Sequence, residues 1–448
     1  MRGLRSTIVL LVALVGLGAY IYFVTSKKTD DTAVKRDKLF TSLEAATIDE
    51  LKVKSESGDV TTLKKDGGVW KIVTPMAVPA SDSDASGVAN ALGDIEVVRV
   101  LEENPSDLKT YGLDSPRIEV EFKSADGKTA GHLFVGAKTA TGGNLYARRD
   151  DQKRVVLIAQ FYETSLNKST FDLRDKSIIK FDRAKVDGVD VDLGGKPIDF
   201  TKADTDWKMT KPVVARADSS AVDGLVGRVE SAQMKSIVTS APTPADLKKF
   251  GFDKPQATVN IHLGSARATL VVGGKADDSS VYVRDASKPE VFTVDSSTGD
   301  DFKKPADDYR KKELFDFRAF NATRVEITRN GQTVIFERVK AKDDKSPDTW
   351  HRVSPNPGDP DRSKVETLLA GLADVRATSF VDSKAKTGLD SPAMTVVAKF
   401  DEGKKEERVT FGKNGADVFG SRPDDPGAAK IEAEKFDEAV KALDELSK

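Results

Sequence analysis

Trp70-Lys-Ile-Val-Thr-Pro75, Trp207-Lys-Met-Thr-Lys-Pro212 and Trp350-His-Arg-Val-Ser-Pro355 are the stretches from which the architecture can be read. They hold all three tryptophans of the chain, and each Trp is followed by Pro five residues later. Eleven residues after each Trp stands an N-cap residue type, Ser81, Asp218 or Asp361. Next come Gly112-Leu-Asp114-Ser-Pro116, Gly251-Phe-Asp253-Lys-Pro255 and Gly388-Leu-Asp390-Ser-Pro392. Phe134-Val-Gly136, Val271-Val-Gly273 and Thr410-Phe-Gly412 follow in the same order. Equivalent positions lie 137 to 143 residues apart. This periodicity predicts a tandem array of three repeats, over residues 40–180, 181–320 and 321–448.

Each repeat opens with short alternating segments such as Leu51-Lys-Val-Lys54 and Val69-Trp-Lys-Ile72, a pattern of half-buried antiparallel strands. Pro then ends the sheet segment, because it cannot donate into a ladder. A helix follows, with Val222, Leu225, Val226 and Val229 on one stripe of the second copy. Val365, Leu368, Leu369, Leu372 and Val375 repeat the stripe in the third. A short helix is expected between Asn104-Pro105 and Gly112, and between Thr243-Pro244 and Gly251, since Pro near the start and Gly past the end mark one. The third copy lacks that Pro. A β-rich tail completes each repeat, and a helix over Lys435 to Leu446 closes the chain. The expected fold class is α+β: three tandem units of antiparallel strands with packed helices, behind one transmembrane helix.

That last element comes from Ser6 to Val24, nineteen residues without a charge. As a helix it would be about 28 Å long, close to a bilayer's hydrocarbon thickness. Residues 1–5 form a short tail carrying Arg2 and Arg5, and Tyr20, Tyr22 and Phe23 sit where an interfacial belt would lie. Thr25-Ser26-Lys27-Lys28 offers no small-x-small cleavage site, so an uncleaved signal anchor is expected over residues 6–24. Counting Lys and Arg in the flanks alone would keep the body inside. A long following domain translocates largely regardless of its charge, and the expectation is a single-pass protein of the cytoplasmic membrane with its body on the periplasmic side. Residues 25–39 read as a polar, solvated linker.

Composition bounds the chemistry. The 448 residues carry 70 basic and 72 acidic side chains, well mixed, which argues against a nucleic-acid binder. There is no Cys, so disulfides, thiol nucleophiles, Cys-ligated zinc and iron–sulfur clusters are excluded. The three His, His132, His262 and His351, occupy non-equivalent places in their repeats.

Each candidate motif also has a structural reading. Trp70, Trp207 and Trp350 would suit carbohydrate stacking, but repetition at one position favours burial against the repeat's own helix. Gly-[Leu/Phe]-Asp-x-Pro reads as a turn in which Asp bonds back to its own backbone. Gly131 to Thr139 is one residue off a phosphate-loop spacing and sits between hairpin strands. Ser165-Leu-Asn-Lys168 matches Ser-x-x-Lys without its companion elements. Asn356-Pro-Gly-Asp-Pro-Asp361 misses calcium-loop spacing, and Asp361 already serves as a cap. Asn167-Lys-Ser and Asn321-Ala-Thr match glycosylation sequons that presuppose a secretory host. The residues kept in all three copies (Trp70, Pro75, Gly112, Asp114, Pro116, Gly136 and their counterparts) are fold-specifying types. The expectation is therefore no catalytic residue, no metal and no small-molecule cofactor.

With Tyr111-Gly-Leu-Asp-Ser-Pro116, Phe134-Val-Gly136 and Tyr146-Ala-Arg148 in line behind an N-terminal anchor, the sequence resembles the bacterial family carrying domain of unknown function 4340. The resemblance covers nearly everything after residue 40 and is weakest in the third copy. It implies a single-pass envelope protein encoded beside subunits of ABC-type exporters such as those of gliding-motility systems, and it assigns no catalytic residues. The functional expectation is a non-enzymatic, membrane-anchored scaffold or accessory protein of such a complex, with a membrane-protein partner. A binding module for a cell-wall or exopolysaccharide polymer is the alternative, and an envelope hydrolase ranks last.

Overall fold

The computed structural model describes residues 37–41, 43–341, 347–382 and 384–447. The expected tail, anchor and most of the linker lie outside them. Among the described residues no helix is long and apolar enough to cross a membrane. The chain divides into two compact units at Lys176/Ser177.

The first unit holds one antiparallel sheet. Its strands are β1 (Ile48–Lys54), β2 (Val60–Asp66), β3 (Val69–Thr74), β4 (Val78–Pro79), β5 (Arg99–Glu102), β6 (Ile118–Ser124), β7 (Ala130–Lys138), β8 (Asn144–Arg149) and β9 (Val155–Ala159). Their order is β4-β3-β2-β1-β6-β7-β8-β9-β5. Alternation decides the faces: Leu51 and Val53 are buried while Lys52 between them is exposed, and Ile118, Val120 and Phe122 repeat the pattern on β6. On the outer face Lys52 and Lys54 stand opposite Glu121 and Glu119 and pair with them at 2.6 and 2.7 Å. Such exposed pairs contribute only about 0.2–1 kcal/mol each but favour this register over a one-residue slip. Helix α1 (Asp82–Asp94), capped by Ser81, lays Ala85, Val88, Ala89 and Leu92 on the inner face.

The second unit holds two sheets. The nine strands between Gly188 and Asp295 repeat the strand order of the first sheet. The eight between Ala322 and Ile431 repeat it without a counterpart of β4. Helix α2 (Ser219–Ser231) buries Val222, Leu225, Val226 and Val229, and α3 (Arg362–Ala373) buries Val365, Leu368, Leu369 and Leu372. Burying four such side chains favours folding by roughly 6–12 kcal/mol before the cost of ordering the chain. Asp218 and Asp361 cap these helices by accepting backbone N–H groups of their first turns. Helix α4 (Ala433–Ser447) adds Phe436, Ala439, Leu443 and Leu446 to the core of the third sheet.

Two details differ from the sequence reading. Asp37 to Leu39, read as linker, belong to the folded body: Leu39 N–H donates to Ile95 O, and Leu39 and Phe40 are buried. Between Asn104 and Gly112 only a single 3-10 turn forms, over Lys109–Tyr111. The reason is local: the Asp107 carboxylate accepts the Lys109 N–H two residues on, and Asn104 caps nothing. The second copy has the full capping box, Thr243 with Asp246, and makes the helix Pro244–Lys249. The third copy lacks that Pro, and among the described residues no helix forms at this point.

Candidate functional site

Trp70, Trp207 and Trp350 are each 3% exposed or less, so no ring face is open for stacking on a sugar. Each stands opposite a cation on the neighbouring strand, Lys65, Lys202 or Arg338, whose charge lies 4.8, 5.4 or 4.9 Å from the ring centroid. Trp207 Nε1–H also donates to Asp223 at 2.9 Å. Pro75, Pro212 and Pro355 follow as cis peptides.

The two glycine landmarks meet in space. Gly112, Gly251 and Gly388 adopt φ of +63°, +81° and +72°. A Cβ on Gly136, Gly273 or Gly412 would collide with the carbonyl oxygen of Tyr111, Phe250 or Thr387, directly before those glycines. The turn therefore sits on the strand at a distance only glycine permits. Pro116 and Pro255 are half-buried and Pro392 is exposed, each just ahead of its strand. Asp114, Asp253 and Asp390 are exposed. Among the described residues none of the three accepts a hydrogen bond from its own backbone, which corrects the Asx-turn expectation.

The other candidates are committed elsewhere. Lys168 pairs with Asp84 at 2.8 Å, and the Gly131–Thr139 stretch forms strand β7 and its turn. His132, His262 and His351 approach Glu119, Asp190 and Asp359 at 3.3, 2.6 and 2.8 Å. Among the described residues no three metal-ligating side chains come together.

What sequence reading missed is the connector. Leu173-Arg-Asp-Lys-Ser-Ile-Ile179 recurs as Tyr309-Arg-Lys-Lys-Glu-Leu-Phe315, at a spacing of 136. In the first unit Leu173 O accepts the N–H of the N-cap Ser81, and Asp175 N–H donates to Pro79 O. In the second unit Tyr309 and Lys311 make the same two bonds with Asp218 and Arg216. The connector then crosses to the third sheet, where Leu314 N–H meets Val375 O.

Beside this connector lies a charge network built around the buried Arg422–Glu407 pair. Arg216 reaches Asp425 at 2.8 Å, Asp316 at 3.3 Å and the carbonyl of Glu313 at 2.8 Å. Lys311 pairs with Asp316 at 2.5 Å. Arg422 pairs with the buried Glu407 at 2.6 Å and with Asp424 at 2.9 Å. Glu407 also accepts the N–H groups of Asp316 and Phe317. Burial opposes ionisation of Asp316, but Lys311, Arg216 and Arg422 outweigh it and hold the carboxyl below its ordinary range. Burial likewise disfavours charge on Arg422, yet its bonds to Asp424 and Glu407 leave the guanidinium more basic than usual. Arg310, over the Phe380 ring at 3.6 Å, is made less basic by burial. Burial also pushes the Tyr309 hydroxyl up to about 12. Counterparts by repeat register are Pro79 for Arg216, Lys180 for Asp316 and Ala268 for Glu407, so these three residues of the network are not repeated in the sequence. An open cleft of about 730 Å³ adjoins it, lined among others by Lys208, Ser219, Ser220, Arg318 and Asp424.

A family model described as "Domain of unknown function (DUF4340)" matches residues 70–212 and 207–392. The matches start at Trp70 and Trp207, inside a sheet, so each spans a connector. No curated protein matches the chain. Among solved structures, a DNA polymerase sliding clamp from Pseudomonas aeruginosa aligns over 88% of this chain and 93% of its own, at 8% identity and a TM-score of 0.17. That score carries no argument about fold or function.

Proposed function

The chain belongs to the DUF4340 family, and on that premise we propose that it is a membrane-anchored scaffold or accessory protein. Its body faces the periplasm and binds a membrane-protein partner of the kind found in ABC-type export or gliding-motility complexes. One observation carries the reading: most of the residues common to the three repeats serve folding. The tryptophans are buried under cations, and the paired glycines let a turn rest on a strand. Repeats that share only their fold present different surfaces in series, and several modest contacts in series add up through effective concentration. The apolar run Ser6 to Val24 supplies the anchor in this reading.

The experiment is external protease added to intact spheroplasts. Digestion of the body in intact spheroplasts is expected. Protection until lysis overturns the topology.

A further inference from the structure

We propose that the third repeat carries a strand-pairing site, left open among the described residues, for an extended, basic segment of a partner protein. The residues just ahead of each core helix are equivalent by register: Pro79-Ala-Ser81, Arg216-Ala-Asp218 and Asp359-Pro-Asp361. In the first two repeats this tripeptide is paired on both sides. Its inner edge meets the Trp strand, and its outer edge takes the connector through the two bonds described above. The third repeat keeps only the inner pairing, Arg352 with Gly358 in both directions at 2.7 and 3.0 Å. Among the described residues nothing bonds the Asp361 N–H or the Asp359 carbonyl from outside. Asp359 and Asp361 are exposed, so the edge is open to an incoming strand.

The two filled copies say what fits. The occupant is extended, with an apolar residue whose carbonyl accepts from the N-cap N–H. The residue two positions on donates to the tripeptide's first carbonyl, so it cannot be Pro. Both connectors read apolar-Arg-x-Lys, as Leu173-Arg-Asp-Lys176 and Tyr309-Arg-Lys-Lys312. Charge sharpens the choice. Arg216 in the second repeat meets the acids Asp316 and Asp425. Asp359 holds that register in the third repeat; its carboxylate meets the His351 ring at 2.8 Å and is still 87% exposed, which leaves it open to a cation of the incoming segment. Backbone bonds give such a contact its affinity and side chains its selectivity. The site is independent of the anchored-scaffold reading, since a soluble body would bind the same segment.

The test uses the full chain in detergent and a fluorescent peptide with the sequence of Pro305 to Lys312. Without peptide, the Asp361 amide should exchange with solvent freely while those of Ser81 and Asp218 are protected. Peptide should protect Asp361 and raise the anisotropy. Asp359→Arg should weaken binding by about fivefold to tenfold, the scale of reversing one exposed ion pair. A peptide with its three basic residues changed to Glu should not bind. The proposal is overturned if Asp361 is already protected in the free protein, or if Asp359→Arg or the acidic peptide binds as well as the originals. Protection that grows with protein concentration alone would replace the partner by a second copy of this chain.

Discussion

Arg216→Ala removes the hub of the charge network in the second unit. The side chain is 17% exposed and ties a strand of the second repeat to Asp316, just past the connector, and to Asp425 of the third repeat. Breaking a buried pair typically costs about 3–5 kcal/mol, because the abandoned charge stays in a low-dielectric site. The structure lowers that figure here. Asp316 keeps Lys311 and Arg422, and Asp425 keeps the Arg216 backbone N–H, which Ala also supplies. A loss of roughly 2–3 kcal/mol follows, since charged hydrogen bonds contribute about 1.5–3 kcal/mol and only one carboxylate loses its cation. For a unit of this size that is about 4–12 °C in Tm. The assay is segment-resolved hydrogen exchange in urea, following residues 310–318 and 405–426 against the first sheet as internal control. Faster exchange confined to the second unit is expected, and Arg216→Met should behave like Ala because packing volume is not what is lost. An unchanged midpoint, or equal loosening of the first sheet, would refute the clamp.

Trp207→Ala should cost about 3–5 kcal/mol by emptying a core site, seen as loss of cooperative unfolding in the second sheet by the same exchange assay. Acid should weaken the second unit through Asp316. Its folded pKa lies below the ordinary value of 3.8, so its contribution is complete above that value and is lost as pH falls through the lower, folded pKa. Urea midpoints between pH 7 and pH 2 should therefore show a steep acid limb that Asp316→Asn flattens.

The repeat itself was legible because its landmarks are residues with few substitutes. Only Gly fits where Gly136 meets the Tyr111 carbonyl, and only a large aromatic fills the site of Trp70. Periodic helices such as Ser219–Ser231 were legible for the usual reason, an apolar stripe after a cap. The short helix of the first copy was misread because Pro105 and Gly112 say where a helix would fit. They do not say that Asp107 captures a backbone N–H first. The connector was visible at its spacing of 136 but carries no Trp, Gly or Pro to draw the eye. The charge network was not legible at all. Arg216, Asp316, Glu407 and Arg422 span nearly 210 residues of sequence and resemble surface charges until the sheets bring them together.

The central claim, an anchored array that works by contact, is tested most directly by cross-linking pull-down from intact membranes. The comparison is between the full chain, a variant lacking Met1 to Val24, and a variant lacking one repeat. The account predicts a membrane-protein partner captured by the full chain, no capture without the anchor, and weakened capture when one repeat is removed. Equal capture by the soluble body would contradict it. So would a purified body that hydrolyses a cell-wall or ester substrate and loses that activity, but not its fold, through one substitution.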